Sequence, residues 1–357
     1  KALKMATEAK QQQRVAALSR QLAQQRAQAP GIYARGHAMV EGGNEDMRVA
    51  LRGNRLKPGA LVPRRFLRVV AGDEPPRFTE GSGRLELAQT LVRADNPLVS
   101  RVIVNRVWQH YFGRGIVGSS SNFGVTGERP THPLLLDWLA SRLVEQNWSL
   151  KSLHRQIVLS ETYQRSLRHD ARNAALDGSN QWLWRMNRRR LDIEGYRDSL
   201  LAITGELDRA MGGPAHGDLF ASRRRTLYGA VHRDNQTASD ALLRTFDFPN
   251  ARISSSGRIA TTTTGQQLFT LNSEFLIERA RALASLVESE MADANRPNSD
   301  AVTRLFQWVV GRPATPHERA LAEEFMAAAE TEAAHGLSSW QQLCHALLIS
   351  NELLYRP

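Results

Sequence analysis

A chain of 357 residues with 41% hydrophobic and 23% charged side chains can bury one large or two medium cores, which excludes a disordered polypeptide. Its net charge of +11 sits in the first 200 residues, with 17 basic against 9 acidic groups in 1–100, 15 against 9 in 101–200, and 15 against 18 beyond. The single cysteine, Cys344, excludes an intrachain disulfide and a cysteine-based zinc site, and no apolar run approaches the roughly 20 residues of a membrane span.

Forty-two of the 47 basic residues are arginine, which suits paired hydrogen bonds to carboxylates, sulfates or phosphates, although high-GC coding gives the same bias. Lys1 opens the chain without a leader pattern, so the sequence reads as processed or as part of a longer protein.

Residues 1–29 are rich in Lys, Ala, Gln and Arg with a thin apolar stripe, predicting a linker helix that Pro30-Gly31 ends. Strand-like runs follow at Met47–Leu51 and Val62–Val70, joined by a turn-rich stretch, and Gly72–Pro76 closes a small β-containing unit. Helical periods then dominate. Helices are predicted over 84–92 and over 97–112, with Val99, Ile103, Val107 and Tyr111 inward and Gly113 as the stop. Others are predicted over 134–146 after His132-Pro133, from Ser149 to about 167, and from Asp192 to 211. The remaining helices are expected over 272–291, 300–310, 317–334 and 338–354, and residues 213–271 read as an irregular insert. The expected fold is therefore mainly α, with a linker at 1–30, a small β-containing unit at 31–83 and a multi-helix domain at 84–357.

Several polar groups interrupt this plan. Arg106 and His110 share a helix face with Asn105 and Gln109 nearby, giving either a ligand contact or a buried network that orients helices. His154 is a candidate acid–base or metal group, but no paired-histidine spacing accompanies it, so no metal is expected on this chain. Arg188–Arg190 with Asp192, Glu194, Arg197 and Asp198 predicts interlocked ion pairs at a helix start. Arg225, Tyr228, His232, Arg233, Asp247 and Arg258 gather in the irregular insert, where they suit an oxygen-rich ligand or an arginine-laced contact. Gln267 and Asn272, beside Thr261–Thr264, offer an anion contact or ordinary helix capping. A ligand site is expected where 213–271 packs against the helices holding His110 and His154.

A series of motifs runs in unbroken order from about residue 45 to 356. It includes Arg52-Gly-Asn54, Gly81-Ser-Gly-Arg-Leu-Glu-Leu-Ala88, Val104-Asn-Arg-Val-Trp-Gln-His110 and His132-Pro133. Arg197-Asp198, Arg224-Arg-Thr-Leu-Tyr228, Phe246-Asp-Phe-Pro249 and Ser350-Asn-Glu352 continue it. Together they resemble the family called domain of unknown function 1553, found beside cytochrome-type domains in planctomycetes and their relatives. Thr261-Thr-Thr-Thr-Gly-Gln-Gln-Leu268 departs from the Thr-Pro-x-Gln-Ala-Leu pattern usual there.

The resemblance implies the carboxy-terminal part of a secreted, periplasmic or cell-envelope protein. Its upstream part or a companion protein would carry any cytochrome c haem, and this chain carries no cofactor. It brings no established activity. The expected function is a module that binds a partner domain and an acidic polysaccharide. The alternative is a subunit of a carbohydrate-active enzyme, oxidising or hydrolysing, coupled to a cytochrome c module. Nucleic acid is not an expected partner.

Overall fold

The computed structural model describes residues 2–28, 38–231, 238–293, 298–329 and 336–356. The chain is mainly α, about 51% helical, and it divides into two compact units, Lys1–Leu91 and Val92–Pro357.

In the first unit, α1 (Ala2–Gln28) keeps Val15, Leu18 and Leu22 exposed, as a nearly polar helix must. β1 (Met47–Ala50) and β2 (Pro58–Val62) form an antiparallel hairpin with Met47 opposite Val62. The predicted strand over 62–70 is displaced. Pairing begins at Pro58 and stops at Val62, because Pro63 has no N–H for the ladder, and α2 (Arg68–Ala71) follows. Arg64 ties the irregular chain together, donating to Asp46 Oδ1 from N and Nε at 3.0 and 3.2 Å and to the Gly81 carbonyl at 2.6 Å. α3 (Arg84–Leu91) groups with this unit. Among its described residues no large apolar side chain is buried.

The second unit holds two apolar clusters. The first joins α4 (Val99–Phe112), α5 (Pro133–Glu145) and α6 (Leu150–Val158) through Trp108, Phe112, Leu139, Leu143, Leu153 and Ile157. On α4 the deepest stripe is Val104–Trp108–Phe112, one residue round from the predicted one, and Gly113 ends the helix at φ +85°. α6 stops at Val158, well short of 167: Ser160 Oγ donates back to the Ile157 carbonyl at 2.7 Å, and the chain turns so that Tyr163 meets Tyr111 edge-on at 5.3 Å.

After the short α7 (Ala171–Leu176) and β3 (Arg189–Arg190), the second cluster begins at α8 (Ile193–Ile203). α8 ends eight residues before the predicted Met211, where Thr204 Oγ1 turns back to the Leu200 carbonyl at 3.0 Å and Gly205 takes φ +72°. The predicted irregular insert contains two helices, α9 (Ala238–Thr245) and α10 (Thr264–Asn272). Then follow α11 (Glu274–Asp293), α12 (Asn298–Val310), α13 (Pro316–Ala329), α14 (Ser339–Leu348) and α15 (Asn351–Leu354). Leu200, Leu276, Leu283, Leu305 and Leu348 close this core. β4 (Tyr355–Arg356) pairs with β3, with Arg190 opposite Tyr355.

Arg197 is 1% exposed in this core. Its guanidinium donates to the carbonyls of Leu219, Ser222 and Arg224 and to Thr226 Oγ1, at 2.5–3.0 Å. Asp198 completes the clamp by accepting from Thr226 N and Oγ1 at 2.8 and 2.7 Å. One side chain thus fixes residues 219–226 against α8, because hydrogen bonds to its donors offset the cost of burying a guanidinium. Arg197→Met is expected to lose roughly 3–5 kcal/mol of stability, by leaving the buried Leu219 carbonyl and two part-buried carbonyls without this donor, as urea unfolding will read.

At the other end, Arg312 grips Glu318 and Glu352, and this bonding with that of Thr315 N pulls the Glu318 carboxyl down from its usual 4.5 to about 2. A depressed carboxylate stabilises the fold above its unfolded value and loses that contribution as pH falls through the folded one. Glu318→Gln is therefore expected to unfold earlier than the native chain at neutral pH, with the gap closing between pH 4.5 and about 2.

Candidate functional site

The polar face of α4 resolves into two roles. Asn105 is fully buried, accepting from Val117 N at 2.8 Å and donating to the Val117 carbonyl at 3.0 Å. Ser120 Oγ donates to Gln109 Oε1 at 2.8 Å, so both amides hold the loop after α4. Gly115 is required there, since a Cβ would lie 2.6 Å from Asn105 Nδ2. Arg106 and His110, one turn apart, are exposed and have no side-chain bond or ion pair among the described residues. His154 is placed elsewhere, with Nδ1 2.8 Å from the Tyr111 hydroxyl. Burial, with the neighbouring Tyr163, raises the Tyr111 pKa.

Residues 247–266 form a second cluster around Gln266, which is 1% exposed. Asp247 stands at φ +64° and accepts from Thr261 N and Oγ1, both at 2.7 Å. Gln266 Nε2 donates to the Thr245 carbonyl at 2.9 Å, while its Oε1 accepts from Arg190 at 2.7 Å. Arg190 also donates to the Thr261 carbonyl. Arg258 takes Glu194 in a paired grip and lies over the Phe248 ring at 4.9 Å. This segment does approach α4, because a Cβ on Gly257 would lie 2.5 Å from Gln109 Nε2. It does not bring Asp247 and His154 into one hydrogen-bonded group.

The other candidates are dispersed. Tyr228 accepts from Gly212 N at 3.0 Å, under the Arg224 guanidinium at 4.1 Å. Arg225 is half exposed, 3.9 Å from Asp198. Gln267 is exposed on α10, and Asn272 Nδ2 bonds back to the Leu268 carbonyl at 3.0 Å. His232 and Arg233 lie outside the described residues. Among the described residues, no three His, Cys, Asp or Glu side chains are grouped to hold a metal.

Sequence reasoning missed a cleft of about 510 Å³ lined by Leu167, Arg168, His169, Arg185 and Arg188. The signal was present. Residues 165–190 contain seven arginines and two aspartates. Both aspartates are committed to backbone N–H groups: Asp170 caps α7 through Asn173 N at 2.8 Å, and Asp177 accepts from Gln181 N and Trp182 N at 2.9 and 2.8 Å. Of the ion pairs expected over 188–198, Arg197–Asp198 forms at 3.4 Å. Arg190 meets an amide and a carbonyl instead, and Asp192 caps α8 through Gly195 N.

Asp247→Ala is expected to cost about 1–3 kcal/mol in urea unfolding, by orphaning the Thr261 donors. Asp247→Asn should recover part of that loss, since it keeps an acceptor and tolerates positive φ.

Residues 83–326 match the family model described as PSD1: Protein of unknown function (DUF1553). No curated protein and no solved structure matches the chain.

Proposed function

The chain belongs to the DUF1553 family of proteins of unknown function, and we propose that it is a binding module of a secreted or cell-envelope protein, engaging an acidic polysaccharide through arginines of its second unit. The observation that carries this reading is the imbalance at 165–190, where both aspartates are spent on backbone donors and Arg168, Arg185 and Arg188 have no carboxylate partner among the described residues. Arginine presented without an internal partner favours planar or tetrahedral oxyanions, which it meets with paired donors. Arg106 and His110 add exposed cationic and polar groups on α4.

A partner domain is the second ligand of this reading. Met47, Leu56, Leu67 and Val69 are exposed in the first unit, at 78%, 90%, 64% and 91%, and a hairpin without a buried apolar face gains stability from a covering surface. The envelope setting, and a cytochrome c module upstream or on a companion, rest on the family resemblance.

The hydrolytic form of the carbohydrate-active alternative calls for a carboxylate held ready for proton transfer. Asp247 is saturated by Thr261 and Gln266, and Glu194 is gripped by Arg258, so neither favours that alternative.

The purified chain is expected to be retained by sulfated and uronate-bearing polysaccharides and not by a neutral glucan of equal length. Retention should weaken as salt rises, since exposed charges more than about 10 Å apart are screened at 0.1 M. Equal retention on the neutral polymer, or none on any acidic one at low salt, would overturn the reading.

A further inference from the structure

The cleft at Arg168, His169, Arg185 and Arg188 has the construction of a site rather than of a loose charged surface. Two stretches of irregular chain make it; the buried Asn180 braces one, and hydrogen bonds join that one to the other. Asn180, 4% exposed, donates from Nδ2 to the Arg185 carbonyl and to Asn187 Oδ1, both at 2.8 Å, and its Oδ1 accepts from Arg185 N at 3.3 Å. Met186 N donates to the Ser166 carbonyl at 3.0 Å, and Arg165 Nη1 to the Trp184 carbonyl at 3.1 Å, which binds the 165–169 strand to the 182–188 strand. Trp184 is pinned by its own Nε1, which donates to the Asp177 carbonyl at 2.9 Å. On that fixed indole lie the Arg185 guanidinium, 5.1 Å from the ring, and the His169 ring, edge-on at 6.1 Å.

The backbone carrying the cations is therefore set before any ligand arrives, so little ordering entropy is lost on binding. No carboxylate among the described residues pairs with Arg168, Arg185 or Arg188, and Arg185 Nε is buried without a hydrogen bond. A buried donor left unpaired is costly, and like charges gathered in one cleft repel. Both costs fall when an oxyanion enters.

We propose that this cleft binds a single oxyanionic group, a sulfate ester or carboxylate on a polymer, with Arg168 and Arg188 as direct donors and Trp184 positioning Arg185. It rests on the polysaccharide reading above and names the place where the charged substituent is read. The size of the cleft suits one substituent with part of its sugar ring, and the exposed Trp182, at 64%, offers an apolar face nearby in the chain.

The test is calorimetric titration of the whole chain with inorganic sulfate and with acetate, at constant ionic strength set by chloride. Native protein should bind and show a raised unfolding midpoint in sulfate beyond that in chloride, as a ligand selective for the folded state requires. Arg168→Gln/Arg188→Gln should lose at least about tenfold in affinity with an unchanged unfolding midpoint in chloride, and Arg209→Gln, outside the cleft, should bind as the native chain does. Arg188→Gln alone serves if the double variant fails to fold, with a smaller loss of the same sign. Unaltered sulfate and acetate binding in these variants, or none in the native chain, overturns the proposal. The same variants on acidic polysaccharide separate it from the broader reading. Retention that survives both substitutions leaves the polysaccharide reading standing and removes this cleft from it. Sulfate binding lost in the variants, with no polymer retained by the native chain, keeps the cleft and removes the polysaccharide.

Discussion

The second unit depends on a buried positive charge. Arg197 lies among leucines and phenylalanines of the larger core, where acceptors for each of its guanidinium nitrogens offset the cost of burial. Burial draws its pKa down, and the neighbouring Asp198 opposes that shift. Those partners are mainly backbone carbonyls of 219–226, so the requirement of one side chain dictates the path of eight residues that have no regular structure before Thr226. From that path follow the stacking of Arg224 on Tyr228 and the outward position of Arg225.

The same device recurs with neutral groups. Asn105 holds 115–120 against α4, Gln266 joins 245–247 to 261, and Asn180 braces 185–187. In each case a buried amide supplies donor and acceptor to a stretch that lacks a ladder of its own. Long irregular segments can then pack against helices without leaving their backbone groups unpaired. Much of what looks chemically suggestive in the sequence is this bracing.

That explains which parts were legible. The capped amphipathic helices were readable because their signals are local: Gly113 at the end of α4, Pro133 opening α5, Ser149 before α6, Asp192 before α8. Helix ends set by a side chain turning back on the chain were not, and α6 and α8 were read too long at Ser160 and Thr204. α10 was hidden in the threonine-rich run because its stabilising feature, the Thr263–Gln266 capping box, resembles any polar stretch in composition. Strand β3 has two residues and a partner more than 160 positions away, a pairing no local pattern reveals. Among the candidate residues, Asp247 and Gln267 were chosen for chemistry that the neighbouring Gln266 and Thr261 turn into architecture or leave on an exposed helix face.

The cationic cleft shows the converse. Its arginines do not stand out in the sequence, because all of 101–200 is basic, with 15 basic against 9 acidic groups. What matters is where each acid spends its lone pairs. Asp170, Asp177 and Asp192 all accept from backbone N–H groups at turns or helix starts, which removes them as partners for arginine while leaving the formal count unchanged. A segment can thus hold acids close in sequence to its arginines and still offer unpaired cations in space. The chain's charge becomes functional information only after the capping carboxylates are subtracted, and in the second unit that subtraction singles out 165–190.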